Sequence, residues 1–196
     1  MLRVGLTGNI GMGKTTVLGM FGELGAFTVN ADEIVRDLLA EEAVLKRLRP
    51  LLGDDAFDTE GRLAKAKASE KVFGDASVRR AVEDVLHPLV FERVEGLLEG
   101  AEAEIAVVEA PVIFERGHEG RFDRTITVYT DEETALARLD AMGVPREESL
   151  RRLGSQMPIE EKTKRADFAI DNSGTAEETR AKVRRVYRAL LEEAAG

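Results

Sequence analysis

Gly8-Asn9-Ile10-Gly11-Met12-Gly13-Lys14-Thr15 is the stretch that decides the fold. It fits G-x-x-x-x-G-K-[ST] without a mismatch. Before it stands a short apolar strand candidate, Leu2–Leu6; after it Val17, Leu18, Met20, Phe21 and Leu24 recur at helical spacing until Gly25 supplies a stop. Strand, glycine loop, helix is the context in which this pattern cradles phosphate. Glycines let the backbone wind with its N–H groups inward, and a helix beginning near Lys14 turns its positive end toward an anion. Lys14 can then reach the β- and γ-phosphates of a nucleoside triphosphate, the Thr15 hydroxyl can ligate Mg²⁺ bridging the same oxygens, and Thr16 touches the α-phosphate side. The alternatives are a chance glycine-rich turn and a dinucleotide fold, but the glycines run G-x-x-G-x-G rather than G-x-G-x-x-G.

The same alternation continues downstream. Ala26–Val29, Ile105–Val108, Thr125–Thr130 and Phe168–Ile170 read as further strands with helical pattern between them, which predicts an α/β fold: a five-stranded parallel sheet with helices on both faces. Thr175 and Glu178 form a capping box ahead of a final helix whose apolar face is Val183, Val186, Tyr187, Leu190 and Leu191. The residues between the second and third strands read mostly as helix, with Gly53–Gly61 as a surface turn and Pro88 at a first helical position ahead of Val90, Phe91, Val94, Leu97 and Leu98. One domain is expected, its core at 1–40, 104–137 and 166–196, a helical substrate-binding insertion at about 41–103 and a lid at about 138–165.

Composition narrows the function classes. The 196 residues carry 28 Lys+Arg against 37 Asp+Glu, a formal charge of −9, so the chain as a whole repels a polyanion and nucleic-acid binding is not expected. With no cysteine, thiolate metal sites and disulfides are excluded, and His87 and His118 lack ligand spacing. No apolar run approaches the ~20 residues of a membrane span, and the N-terminus runs straight into the glycine loop, so a cytoplasmic protein is expected, with no membrane partner and a monomer as the default.

Outside the loop, individual residues carry two readings each. Asp32 follows the second strand, on the side where a carboxylate can accept a proton from a substrate hydroxyl, or else it caps the helix bearing Ile34, Val35, Leu38 and Leu39. Glu109 follows the third strand, where an acidic residue helps hold a magnesium shell, or simply faces the next loop. His87 binds substrate or precedes the Pro88 helix as a cap-like residue, the structural reading being favoured. Between Arg138 and Arg165 seven basic residues (Arg138, Arg146, Arg151, Arg152, Lys162, Lys164, Arg165) outnumber five acidic ones (Asp140, Glu147, Glu148, Glu160, Glu161), the balance of a phosphate-facing lid, although any one arginine is more often a solvated one.

Taken together, Gly5 through Thr16, Ala31-Asp32 with Arg36, His87-Pro88, Pro111 to Glu115, Arg152 to Gln156 and Ala166-Asp167-Phe168-Ala169-Ile170-Asp171-Asn172-Ser173-Gly174 resemble the dephospho-CoA kinase family. The motifs stand in the family's order from residue 3 to residue 174. The resemblance implies a three-layer P-loop kinase fold and transfer of the γ-phosphoryl group of ATP, with Mg²⁺, to the ribose 3′-hydroxyl of dephospho-CoA. It also implies Asp32, Lys14 and Arg138 as catalytic residues. ATP contacts would come from Gly8, Gly11, Met12, Gly13, Lys14, Thr15, Thr16, Arg152 and Asn172, with Gln156 and Lys162 as further nucleotide or lid contacts. Asp32, Arg36, His87 and Glu115 would face the acceptor, and Thr15 the metal. Three departures stand out: Asn30 replaces the first Asp of the usual D-A-D, Met142 lies where a second lid arginine is common, with Arg146 as a substitute, and Lys65 stands for an arginine. The rival readings are another small-molecule P-loop kinase, such as one acting on nucleoside monophosphates, and a non-catalytic nucleotide switch, for which the N-K-x-D signature is missing.

Overall fold

The computed structural model describes residues 1–195; Gly196, the last residue of the third expected core segment, lies outside them. The chain divides into two compact units, one of residues 1–30 with 101–195 and the other of residues 31–100.

In the first unit the strands are β1 (Leu2–Thr7), β2 (Phe27–Asn30), β3 (Ile105–Glu109), β4 (Arg124–Tyr129) and β5 (Phe168–Asp171). They form one parallel sheet in the order β2-β3-β1-β4-β5. Each is the expected apolar run displaced by a residue or two at its ends. Alternation along β1 sets the two faces. Val4 and Leu6 point into a cluster with Val17 and Phe21 of α1 (Lys14–Glu23), Val107, Ile126 and Ile170 of the sheet, and Val183 and Leu190 from the chain's last helix, Ala176–Ala194. Gly5 and Thr7 point the other way. A Cβ on Gly5 would stand 2.8 Å from both Ile113 and Phe122, so the segment after β3 lies directly on the sheet there, and the Thr7 hydroxyl donates to Pro111 O at 3.1 Å. Both faces are covered, which is why the parallel strands read as continuous apolar runs. The capping box forms as expected, Glu178 N–H donating to Thr175 Oγ1 at 3.3 Å while Thr175 N–H donates to Glu178 Oε2 at 2.7 Å.

The second unit is helical: α2 (Ala31–Leu38), α3 (Glu42–Leu52), α4 (Lys65–Gly74) and α5 (Ala76–Glu99). Here two expectations are corrected. Pro88 does not begin a helix; it lies inside α5, which starts twelve residues earlier behind Asp75, whose carboxylate accepts from Ser77 N–H at 2.7 Å and Val78 N–H at 3.3 Å. Val82, Leu86, Val90, Val94 and Leu98 are all buried, so one apolar stripe runs unbroken through the proline, and Pro88 itself is exposed, where the missing N–H costs least. His87 is therefore a mid-helix residue and not a cap. The Gly53–Gly61 stretch is more than a surface turn: Asp54–Ala56 makes a 3₁₀ turn, Phe57 bridges to Leu63, and both Ala56 and Phe57 are buried, with the Arg49 guanidinium 4.3 Å above the Phe57 ring. No helix among the described residues is long and apolar enough to cross a membrane.

Candidate phosphate-binding site

Parallel pairing brings the C-terminal ends of all five strands to one edge of the sheet, and the loop 8–13 leaves β1 at that edge between β3 and β4. In open α/β sheets this crevice is where ligands sit. The loop's winding depends on two glycines in particular. Gly8 (φ 148°) packs so closely that a Cβ would lie 2.3 Å from Val128 O, and Gly13 (φ 82°) is the left-handed residue that turns the loop into α1, where a Cβ would lie 2.2 Å from Asn172 Nδ2. Gly11 rests against the backbone of Ala135. Val17 N–H already closes on Gly13 O at 3.2 Å, which leaves the first turn of α1 with its N–H groups directed outward, an anion site built from backbone.

Lys14 and Thr15 open that helix. Lys14 Nζ donates to Asn9 O at 3.3 Å, folded back over the loop it follows. The Thr15 hydroxyl donates to Glu109 Oε1 at 3.2 Å, and Asn30 Nδ2 donates to the other oxygen, Oε2, at 3.3 Å. Glu109 is buried at the end of β3, opposite Asn30 of β2 in register. The structure thus sets the Glu109 carboxylate beside the Thr15 hydroxyl, in a buried place. A hydroxyl backed by a carboxylate is a hard-oxygen set suited to magnesium, and no group of three or more His, Cys, Asp or Glu among the described residues could hold a metal alone, so such an ion would take its remaining ligands from phosphate and water. Thr16 follows on the same exposed turn, and Met12, buried, accepts Thr130 N–H on its sulfur at 3.1 Å.

On the other side of the loop stands Arg138, carried by α6 (Glu132–Ala141). Nη2 donates to Asn172 O at 2.8 Å, while Nη1 lies beside Gly13, 3.3 Å from where a Cβ would be, buried and with no hydrogen-bond partner among the described residues. A buried guanidinium nitrogen beside a phosphate loop is a donor waiting for an anion. Asn172 is itself nearly enclosed: Nδ2 donates to Met12 O at 2.9 Å, Oδ1 accepts the Thr179 hydroxyl at 2.9 Å, and its N–H donates to Tyr129 O at 2.7 Å. It ties Arg138, the loop and the last helix together. Nothing local to residue 172 signals this, since Met12 is 160 positions away.

The lid residues divide. In α7 (Arg146–Gly154) Arg152 is paired with Glu148 one turn earlier. Arg146 lies 3.7 Å from Glu133 with both side chains largely exposed, and Met142 is 75% exposed. Gln156 and Met157, between α7 and α8 (Ile159–Arg165), reach the loop: Ile10 N–H donates to Gln156 Oε1 at 2.9 Å and Asn9 Nδ2 to Met157 O at 3.1 Å. Glu115 Oε1 accepts Lys162 Nζ at 2.6 Å and Met157 N–H at 3.3 Å. The tie from Asn9 and Ile10 to residues near 156 has no sequence signature either.

Of the expected acceptor-side residues, Glu115 belongs to the first unit and Asp32, Arg36 and His87 to the second. Asp32 is the second residue of α2 and exposed, Arg36 lies one turn on with its guanidinium 3.5 Å from Asp37, and His87 is half-buried in α5. Asp32 therefore sits within the first turn of its helix rather than ahead of it, where a carboxylate still favours the helix's positive end. Burial holds the His87 imidazole below its ordinary value, against a smaller upward pull from Asp84.

Comparison with known proteins adds the lineage. A family model described as dephospho-CoA kinase matches residues 2–178. A dephospho-CoA kinase of Aquifex aeolicus is 37% identical over 192 residues, spanning 97% of this chain and 98% of its own. Among solved structures, a Thermus thermophilus protein aligns with a TM-score of 0.85 at 36% identity, over 100% of this chain and 98% of its own. A dephospho-CoA kinase of Campylobacter jejuni aligns at 0.67 with 26% identity, over 97% and 98%.

Proposed function

Because the chain belongs to the dephospho-CoA kinase family, we propose that it transfers the γ-phosphoryl group of ATP to the ribose 3′-hydroxyl of dephospho-CoA, giving CoA and ADP. The observation that carries the reading is the loop itself, with Lys14 folded over it, Thr15 backed by Glu109, and a buried Arg138 nitrogen facing Gly13.

The chemistry follows from charge. In phosphoryl transfer the γ-group passes between two oxygens with negative charge spread over its equatorial oxygens, so catalysis is positioning and charge stabilisation. Outward N–H groups at the start of α1 and the Lys14 ammonium receive the β- and γ-phosphates, and Arg138 Nη1 meets charge that develops during transfer. Asp32 accepts the proton of the 3′-hydroxyl as its oxygen attacks phosphorus; the bond from the γ-phosphorus to the β–γ bridging oxygen breaks, and ADP leaves with that electron pair. Mg²⁺ bound with the phosphates supplies neutralisation of their charge, and Thr15 with Glu109 behind it would hold that ion. Arg36 and His87 contribute to acceptor recognition. The reading carries with it a cytoplasmic, monomeric enzyme.

The test is incubation with Mg-ATP and dephospho-CoA, with ADP and CoA resolved by chromatography and a nucleoside monophosphate panel alongside. CoA formation abolished by Asp32→Ala and by Lys14→Ala is the expected outcome. ATP consumption with a nucleoside monophosphate but none with dephospho-CoA overturns the acceptor assignment.

A further inference from the structure

Lys162 is fully buried, on the short helix α8, and no step above uses it. Burying an ammonium is unfavourable unless it is well paired, and a position that only had to fill space beneath β4 would do so at less cost with leucine or methionine. Its surroundings show what the charge connects. Nζ donates to Pro111 O at 2.9 Å and to Glu115 Oε1 at 2.6 Å. Pro111 O also accepts the hydroxyl of Thr7, the residue before Gly8. Glu115 Oε1 also accepts Met157 N–H; Met157 O in turn accepts Asn9 Nδ2, and the neighbouring Gln156 Oε1 accepts Ile10 N–H. The limb of the phosphate loop from Thr7 to Ile10 is thus held at three points, two of them through acceptors that the single ammonium fixes.

We propose that Lys162 is a positioning residue for the nucleotide: seated on Glu115 and Pro111, its ammonium sets the Thr7–Ile10 limb of the phosphate loop in the winding that receives the β- and γ-phosphates. This rests on the reading of that loop as the ATP site. Without the ammonium, Glu115 Oε1 keeps only the Met157 N–H, and Oε2 already has no hydrogen-bond partner among the described residues, so the carboxylate swings away toward water and releases residues 156 and 157 from their place over the loop. A loop that must be ordered by the ligand binds more weakly than one ordered beforehand. Burial also holds the Lys162 ammonium below the ordinary lysine value, with Glu115 opposing that shift, so the carboxylate keeps the charge in place.

Two variants separate positioning from packing. Lys162→Met leaves a buried carboxylate without its cation and lowers both melting temperature and ATP affinity. In Lys162→Met/Glu115→Gln no buried charge remains, so stability returns toward wild type. With the brace still missing, the Kd for Mg-ATP by calorimetry, without acceptor, stays about ten-fold or more weaker. Amide exchange rises across residues 7–10 and 156–157, while the remaining strands and helices keep their protection. Recovery of ATP affinity along with stability overturns the proposal, as does a uniform loss of amide protection. Turnover of dephospho-CoA by the wild-type enzyme is scored separately: its failure removes the acceptor assignment and leaves the Kd comparison standing.

Discussion

Thr15 Oγ1 lies 3.2 Å from Glu109 Oε1, and Asn30 occupies the carboxylate's other oxygen from the neighbouring strand. An amide rather than a carboxylate at residue 30 has a physical meaning in this geometry. An aspartate here would set a second negative charge against Glu109 in a buried place; the amide donates where a carboxylate could only repel.

Asn30→Asp is therefore expected to lower the stability of the ligand-free protein by ~1–3 kcal/mol through like-charge repulsion and a lost donor, and to make stability more responsive to Mg²⁺, since a divalent cation relieves the repulsion. Thermal denaturation with and without millimolar MgCl₂ reads both effects. A variant as stable as wild type in EDTA would show that Asn30 does not work through Glu109.

For Arg138 the expected change lies in the rate. Arg138→Met removes Nη1 from beside Gly13 and Nη2 from Asn172 O, and kcat should fall by roughly 10²–10³-fold, the loss seen when one donor to developing charge is deleted. Arg138→Lys rescues little, because one ammonium cannot both hold Asn172 O and face the phosphate as the two guanidinium nitrogens do. Steady-state kinetics with calorimetric ATP binding separates kcat from affinity; an unchanged kcat with weakened ATP binding would assign Arg138 to ground-state binding alone.

How much of this was legible in the sequence depended on the range over which each signal acts. The loop, the strands and the Thr175–Glu178 box are local patterns, and each stands within a residue or two of its expected place because a handful of neighbouring side chains determines it. Pro88 misled because a local helix signal was outweighed by a stripe, Val82 to Leu98, that only burial on one helix reveals. The polar connections were the least legible. The Asn172 side chain ends on Met12 and that of Lys162 on Pro111 and Glu115, partners distant in sequence that only the assembled sheet and its covering segments bring near.

Glycines in and beside the loop should respond in opposite senses to the same substitution. Gly13→Ala places a Cβ 2.2 Å from Asn172 Nδ2 at a φ of 82°, so both strain and displacement of Asn172 follow, at a cost of ~1–3 kcal/mol together with loss of Mg-ATP binding. Gly19, in the middle of α1 and exposed, has no atom within 4 Å of its would-be Cβ. Gly19→Ala should raise stability by ~0.5–1 kcal/mol and leave ATP binding unchanged. Differential scanning calorimetry checks the pair; a destabilised Gly19→Ala would mean that the exposed face of α1 is covered in solution.

Asp171, at the end of β5 where Asn172 begins its hub, gives the acid limb of stability a named group. Lys182 Nζ donates to its Oδ2 at 2.9 Å and Ser173 N–H to Oδ1 at 2.9 Å, and these hold the carboxyl down from the ordinary 3.8 to about 2. A carboxyl lowered in the folded state adds stability that is fully present above 3.8 and is lost as pH falls from 3.8 toward 2, because the unfolded chain takes up the proton first. The side chain is partly open to solvent, so screening reduces the contribution and it should weaken further in high salt. Carbon-detected NMR titration should place the Asp171 midpoint well below that of an ordinary aspartate, and Lys182→Met, which removes the larger cause, should move it back up. A wild-type midpoint near 3.8 would show that the Lys182 contact to the carboxylate does not persist in solution, leaving β5 joined to the last helix through the Asn172–Thr179 bond and the packing of Ile170 against Val183 and Leu190.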